Sequence, residues 1–349
     1  MRIAVCHPQT PFARGGAEVH AEGLVAALRA AGHEAELVQV AGAWFPGNML
    51  VHQMAFWRSM ELAESNRLEV DAVIALKFPA YLVPHERKIV WLIHQHRTAY
   101  ELWDHPEFAD LARQDEGPAV RDMIRRADAL ALGEARRLFA NSRNVARRLW
   151  RTQALESEVL YHRSPTTEAL LARPAAALGD HVFLPGRMEA MKRQSLAIRA
   201  MRHVTSGVRL VLAGSGPEEP ALRALVEELR VGDRVTFEGR VPEDRLHELY
   251  ASALAVHYGP FDEDYGYVTL EGFAARRPVV TTTDAGGPLE FVEDGITGVV
   301  TAPEPEAIAA AFDELHRDRA LAARLGAAGH ERLRDEVPDW AHVVERLLA

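Results

Sequence analysis

Short apolar runs alternate with segments of helical spacing twice along this chain, on either side of an Ala-, Leu- and Pro-rich stretch at residues 166–180. That repeated alternation constrains the fold more than any other feature. Strands separated by helices pair in parallel, and a parallel sheet must be covered on both faces. In the first half, Arg2–Cys6 reads as a buried strand, Ala17–Ala31 as a helix stopped by Gly32, and Ala35–Val40 as the next strand. Ala72–Leu76, Ile89–Ile93 and Leu138–Ala140 are further strand candidates, and Asn141 or Ser142 is placed to cap a helix over Val145–Arg151. In the second half, His181–Pro185, Arg209–Ala213, Val235–Glu238, Leu254–His257 and Pro278–Thr282 read as strands. Ser195–Arg202, Glu218–Leu229, Glu243–Ala251 and Thr269–Ala275 fill the gaps as helices. The expected architecture is α/β, with two doubly wound domains at 1–172 and 181–333, a linker at 173–180, and a cleft that takes ligands at the strands' carboxyl ends.

Composition narrows what such a chain does. Its 349 residues accommodate two domains, and 48% hydrophobic with 26% charged residues is a globular balance. A net charge of −10 argues against non-specific binding to nucleic acid or acidic lipid. Cys6 is the single cysteine, which excludes an intramolecular disulfide and a cysteine metal site. It ends the run Ile3–Cys6, where a small buried residue is expected. That run is too short for a signal peptide and no apolar run is long enough to span a membrane, so the expected compartment is the cytoplasm. The basic residues are nearly all arginine, and the only lysines are Lys77, Lys88 and Lys192.

The segment Tyr258–Ala275 is the most chemically specific. Glu263 lies in a Gly/Asp/Pro loop and Glu271 in the run that reads as a helix. Gly266 between them permits close backbone approach, and the unpaired amides of a helix start favour phosphate. Two carboxylates accept from vicinal hydroxyls, so the segment suits a sugar attached to a diphosphate. Gly15-Gly16 likewise follows a strand and precedes a helix, where its amides can meet a phosphate. Arg187 and Lys192 follow the first strand of the second half, where they are either a cationic pair converging on a diphosphate or two surface cations.

These elements occur in a fixed order: Gly15-Gly16-Ala17-Glu18, Ala31-Gly32-His33-Glu34, Gly186-Arg187 with Lys192, Ala213-Gly214-Ser215-Gly216-Pro217, Val235–Gly239, Glu263 with Glu271, Gly286-Gly287 with Glu290, and Asp294–Gly298. In that order and spacing the chain resembles the retaining GT-B glycosyltransferases of glycosyltransferase family 4, over nearly its whole length and least between residues 42 and 133. The resemblance implies a nucleotide-diphosphate sugar as substrate, with no other cofactor and no metal. It makes Arg187 and Lys192 the donor-phosphate clamp and the substitute for a divalent ion, beside the amides of Gly15, Gly16, Gly266, Tyr267 and Val268. Glu263 would then contact donor-sugar hydroxyls with Asp264 and Tyr265 alongside, Glu271 the ribose, and Arg240 the nucleobase. A local alternative for Glu271 is a helix-dipole partner, worth ~0.3–1 kcal/mol. A cleft histidine after the run Ile89–Ile93 is implied as well; position favours His94, with His96 second. The C-terminal segment 334–349, with a helix at Trp340–Leu348, would pack back on the first domain.

Some positions depart from the family. Asp264 stands where glycine is usual and adds a charge to the donor pocket, Arg276 replaces a frequent glycine after the helix, and Gln95 follows the cleft histidine. The implied reaction is metal-independent sugar transfer with retention, by front-face attack, since no compelling protein nucleophile is present. UDP is favoured as the nucleotide and GDP next. Alternatives on the same fold are a nucleotide-sugar epimerase, a sugar phosphorylase, or a non-catalytic nucleotide-sugar-binding protein. The acceptor is an unidentified hydroxyl of a saccharide, a lipid-linked sugar or a natural-product aglycone. Arg97 is a candidate for an anionic acceptor or an exposed helix-start residue, and Trp44 and Trp57 for an aglycone wall or ordinary core. Arg143, Arg147, Arg148 and Arg151 share a helical spacing that suits peripheral membrane contact or a solvated face.

Overall fold

The computed structural model describes residues 1–42 and 46–349, so Trp44 lies outside the described residues. The chain divides into two compact units, Met1–His162 with Asp339–Ala349, and Arg163–Pro338.

Unit 1 contains β1 (Arg2–Gln9), α1 (Gly16–Ala30), β2 (Glu34–Ala41), α2 (Gly47–Ser59), the two-residue hairpin β3 (Glu64–Ser65) and β4 (Leu68–Glu69), β5 (Ala72–Ala75), β6 (Lys88–Leu92), α3 (Gly117–Gly133), β7 (Arg137–Ala140), α4 (Arg143–Gln153) and β8 (Glu158–Val159). Its main sheet has the order β2-β1-β5-β6-β7-β8. The pairs from β2 through to β8 are all parallel. The inner strands β5 and β6 are buried at every residue, whereas the edge strand β2 alternates between exposed and covered positions.

Unit 2 contains α5 (Pro165–Leu171), β9 (His181–Pro185), α6 (Gln194–Ala200), β10 (Arg209–Ala213), α7 (Glu219–Leu229), β11 (Val235–Gly239), α8 (Glu243–Ala251), β12 (Ala255–His257), α9 (Tyr267–Ala274), β13 (Val279–Thr282), β14 (Gly298–Thr301), α10 (Pro305–Arg317) and α11 (Arg319–Glu336). Its sheet order, β11-β10-β9-β12-β13-β14, is the doubly wound order of dinucleotide-binding sheets, with the direction of winding reversing between β9 and β12. In unit 1 the same reversal falls between β1 and β5. Both sheets are therefore Rossmann-like, in agreement with the GT-B expectation.

Helix starts follow from local chemistry. Ser142, Ser164 and Asp339 accept from the backbone amides of Val145, Thr167 and His342, at 3.0, 3.0 and 2.9 Å. The last of these caps α12 (Trp340–Leu348), which belongs to unit 1. A Cβ added at Gly23 of α1 would sit 2.8 Å from the Trp340 ring, so α1 and α12 pack at glycine distance. Around that contact the rings of His20, Trp91, His162 and Trp340 meet, His20 lying 4.1 Å from Trp91 and 4.0 Å from His162.

The expected domain boundary at 172/173 needs correction to 162/163. Helix α5 packs on α8 and α9, and the 173–180 stretch is no free linker. The buried Arg277 guanidinium donates to the carbonyls of Ala176, Ala177 and Ala251 and fixes that stretch to unit 2. Residues 334–338 also belong to unit 2. The two ends of unit 2 are tied together by Arg163, which donates to the Val337 carbonyl at 2.9 and 2.7 Å.

Candidate functional site

Of the expected donor residues of unit 2, Lys192 and Glu263 meet, beside the reversal between β9 and β12, and the others have partners of their own. After β9, Gly186 takes φ +130°, and a Cβ on Gly214 would lie 2.0 Å from the Gly186 carbonyl. The loops after β9 and β10 therefore lie backbone on backbone, an approach only glycine permits. Arg187 projects from the first loop with 44% of its side chain exposed and an ion pair to Glu189 at 2.6 Å. Arg240, past β11, donates to the Ser215 hydroxyl at 2.8 Å on the exposed side of the next loop.

Lys192 reaches from a 3-10 turn to the loop after β12, where it donates to the Tyr258 hydroxyl at 3.1 Å and to the Glu263 carboxylate. Their side chains keep 24% and 20% of their surface exposed, so a ligand can reach both. Burial alone would lower the Lys192 ammonium; the adjacent Glu263 carboxylate and Tyr258 hydroxyl outweigh that and hold it raised, hence charged. Tyr258 is a member of this cluster that sequence reasoning did not single out.

The Glu263 loop is held by backbone bonds on both sides. The Glu263 amide donates to the Ala285 carbonyl and its carbonyl accepts from the Gly287 amide, each at 2.8 Å. A Cβ on Gly287 would fall 2.6 Å from the Tyr265 carbonyl and 2.8 Å from that of Asp264, which explains that glycine, and Gly286 before it takes φ +76°. Arg193 adds a side-chain staple. It forks onto Asp284 at 2.7 and 2.8 Å and donates to the carbonyls of Gly259 and Pro260 at 3.0 and 2.8 Å. Arg193 and Asp284 were not readable as a pair because 91 residues separate them. Gly266, at φ +90°, caps α9, so Tyr267 and Val268 lie in its first turn while Asp264 stands partly buried before it.

Glu271 lies on α9, but its carboxylate already has partners. Ser164 donates to one oxygen at 2.8 Å and Tyr250 to the other at 2.5 Å. Burial raises its pKa, and the Tyr250 and Ser164 bonds offset part of that rise. Each carboxylate oxygen retains a second acceptor direction for a ligand hydroxyl.

In unit 1 the strand ends carry a different set of groups. The Gly15 amide, expected to meet a phosphate, donates to the Glu18 carboxylate at 2.8 Å, and Gly16 is the first residue of α1. Lys77, just past β5 and nearly fully buried, lies 3.8 Å from that carboxylate. Neither Lys77 nor the fully buried His7 at the end of β1 was singled out from sequence. Burial first, then Lys77, His20 and His94, push the His7 imidazole down to about 2, so it stays neutral.

The two candidate histidines separate clearly. His94 is partly exposed, with Nδ1 at 2.6 Å from the Gln95 carbonyl. His96 requires correction as a sugar contact: its ring is turned into the core 5.2 Å from Phe78, and burial lowers its pKa to about 3. Arg97 donates to Glu101 at 2.8 Å with only 14% of its side chain exposed, so it is an internal partner and no open anion receptor. Trp57 is fully buried in the unit 1 core and offers no wall to an acceptor. On α4, Arg143, Arg147 and Arg151 face solvent, whereas Arg148 pairs with Glu101 at 3.4 Å. Among the described residues no group of acidic, histidine or cysteine side chains has the arrangement of a metal site, and no helix is long and apolar enough to cross a membrane.

Residues 179–332, most of unit 2, match the family described as Glycosyl transferases group 1. The D-inositol 3-phosphate glycosyltransferase of Acidothermus cellulolyticus is 31% identical over 275 residues, which is 71% of this chain and 59% of that protein. This chain thus spans less than two thirds of that relative's length. Among solved structures, the sucrose-phosphate synthase of Thermosynechococcus elongatus superposes with a TM-score of 0.76 at 19% identity, covering 99% of this chain and 96% of that one. HepE of Anabaena, solved in complex with UDP and glucose, gives a TM-score of 0.70 at 16% identity over 100% and 98% of the two chains. Likeness at these identities shows the fold, which is GT-B.

Proposed function

We propose, from the premise that unit 2 is a group 1 glycosyltransferase domain, that this protein moves a sugar from a nucleotide-diphosphate sugar to an acceptor hydroxyl, with retention and without a metal ion. The observation that carries this reading is the reachable Lys192–Glu263 pair beside the reversal point of the unit 2 sheet. Donor binding would exchange that pair for two ligand contacts. Glu263 accepts from sugar hydroxyls, and Lys192 turns with Arg187 to the diphosphate, supplying the charge that a divalent ion supplies elsewhere. Amides at the start of α9 meet phosphate oxygens, and Glu271 takes the ribose on its remaining acceptor directions.

The front-face route needs no protein nucleophile. The anomeric carbon–phosphate oxygen bond breaks with its electron pair going to the diphosphate. The acceptor oxygen bonds to the same face of that carbon, and its proton passes to a phosphate oxygen. The chain contributes orientation and electrostatics, and His94 contacts the donor sugar. UDP is the favoured nucleotide, as in the HepE complex, and GDP the next. The acceptor is a hydroxyl of a polyol, saccharide, lipid-linked sugar or aglycone.

A melting-temperature screen against UDP, GDP, ADP and dTDP tests the donor assignment, since a bound nucleotide stabilises the native state by mass action. One diphosphate should raise Tm clearly above the others, and its sugar derivative should be consumed with a retained anomeric product. Glu263→Gln should keep the nucleotide-induced shift and lose turnover roughly 100-fold or more. A folded Glu263→Gln enzyme with parental turnover would defeat the reading.

A further inference from the structure

One carboxylate in unit 1 has no role in the chemistry above. Asp128 on α3 is fully buried, and its three partners are all neutral donors. Tyr81 donates to Oδ1 at 2.8 Å; Tyr100 at 2.8 Å and the Gln95 side-chain amide at 2.9 Å donate to Oδ2. The network continues outward: Thr152 of α4 donates to Gln95 Oε1 at 2.8 Å, and Gln153 donates to the Tyr100 hydroxyl at 2.8 Å. Both ends of the Gln95 amide are thereby fixed, with nitrogen toward Asp128 and oxygen toward Thr152. Burying an acceptor-only carboxylate without a cation is costly, and a fully satisfied network of this kind specifies one local arrangement.

That arrangement lies directly behind His94. His94 Nδ1–H donates to the Gln95 carbonyl at 2.6 Å, so in the neutral ring Nε2 is the acceptor nitrogen. The same carboxylate also ties the turn after β5, through Tyr81, to the segment after β6, through Tyr100. We infer that Asp128 is a positioning residue, which through Gln95 fixes the orientation and tautomer of His94. The inference rests on the reading above that His94 meets the donor sugar.

Four single variants, one double-mutant comparison and two readouts test it. Asp128→Asn and Gln95→Leu remove the hub and its link, and Thr152→Val removes only the outer bond while keeping the side-chain shape. Each should lower kcat, by roughly 10- to 100-fold for the first two, with KM for the nucleotide sugar changed less than about threefold. Thr152→Ser, which retains the hydroxyl, should behave as the parent. Two-bond proton–nitrogen NMR should move His94 from a single Nδ1–H tautomer to a mixture in Gln95→Leu and Thr152→Val. In a His94→Ala background, Gln95→Leu should cost nothing further in kcat, because both substitutions disable one device.

Independent, additive losses with an unchanged His94 tautomer would overturn the inference. So would a kcat loss that tracks only the folded fraction. If His94→Ala proves as active as the parent, the contact assigned to His94 fails, and the tautomer measurement still decides whether Asp128 positions it.

Discussion

The two sheets have the same number of strands and the same reversal of winding, yet their strand ends are furnished by opposite means. Unit 2 relies on paired charges, Lys192 with Glu263 and Arg193 with Asp284, at the surface of its loops. Unit 1 relies mainly on buried groups: the imidazoles of His7, His20, His96 and His162, and a carboxylate held by two hydroxyls and an amide, with Lys77 beside Glu18 as its charged contact. Ionic pairs in partial contact with water can exchange partners when a ligand arrives, whereas a desolvated, fully satisfied network holds one geometry. The difference assigns adaptability to unit 2 and rigidity to unit 1.

The largest expected effect comes from discharging the exchangeable pair. Lys192→Met should reduce turnover on a nucleotide sugar by ~100-fold or more and leave Glu263 without its cation. Retained turnover in a stopped-time product assay would mean that the charges of unit 2 serve structure alone, and the contrast would collapse.

Acid should act first on unit 1. Burial holds His7 near about 2 and His20 and His96 near about 3, with His162 also well below its ordinary 6.5. The unfolded chain therefore binds the extra protons, so this stability is present above pH 6.5 and drains as pH falls toward 3. Asp128 runs the other way: burial lifts it from 3.8 to about 6, so its share is present below 3.8 and lost as pH rises through 6. Four imidazoles outweigh one carboxyl, and unit 1 should melt earlier at pH 5 than at pH 7. Unit 2 has its own imidazoles held down by burial, His257 to about 4 and His181 and His330 in the same direction by smaller shifts, and should respond less steeply. Calorimetry across pH 4–7, with tryptophan fluorescence reporting unit 1 because every tryptophan lies in it, checks the order. Coincident losses in both units would erase it.

A smaller effect sharpens the account of unit 2. Gly287→Ala forces a methyl group onto two backbone carbonyls and should cost about 1–3 kcal/mol in a denaturant titration, because no flexible side chain can yield. An unchanged midpoint would show that the Glu263 loop is looser than its hydrogen bonds imply. The smallest effect is expected at Arg240. Its one exposed bond to Ser215 predicts that Arg240→Ala changes stability by under ~0.5 kcal/mol. A selective rise in KM for one nucleotide would give that residue the base contact suggested by its position.

Much of this was legible because it is local. Apolar runs such as His181–Pro185 and Arg209–Ala213 coincide with β9 and β10, since an inner parallel strand needs little besides continuous burial. Lys192 and Glu263 were placed near one another because each follows a strand adjacent to the reversal. The Asp128 network stayed hidden for a physical reason. An aspartate amid arginines on a helix reads as solvated, and its donors lie 28 to 47 residues away. The 162/163 boundary was missed because α5 follows unit 1 in sequence but docks on α8 and α9, a preference with no trace in its own seven residues. Gln95 drew attention only as a departure, and its partners gave it meaning.

Residues 339–349 complete the layer around His20, Trp91 and His162, yet in the chain they follow the whole of unit 2. Unit 2 is thus an insertion, its two ends joined by Arg163 and Val337. Residues 1–162 are therefore synthesised before unit 2 and residues 339–349 after it, an order that leaves unit 1 incomplete in between. It waits with an open flank at His20 and Gly23 while every residue of the inserted unit is synthesised, and it closes only when Trp340 emerges. A chain truncated anywhere in unit 2 therefore lacks Trp340 and leaves the flank at His20 and Gly23 unsealed.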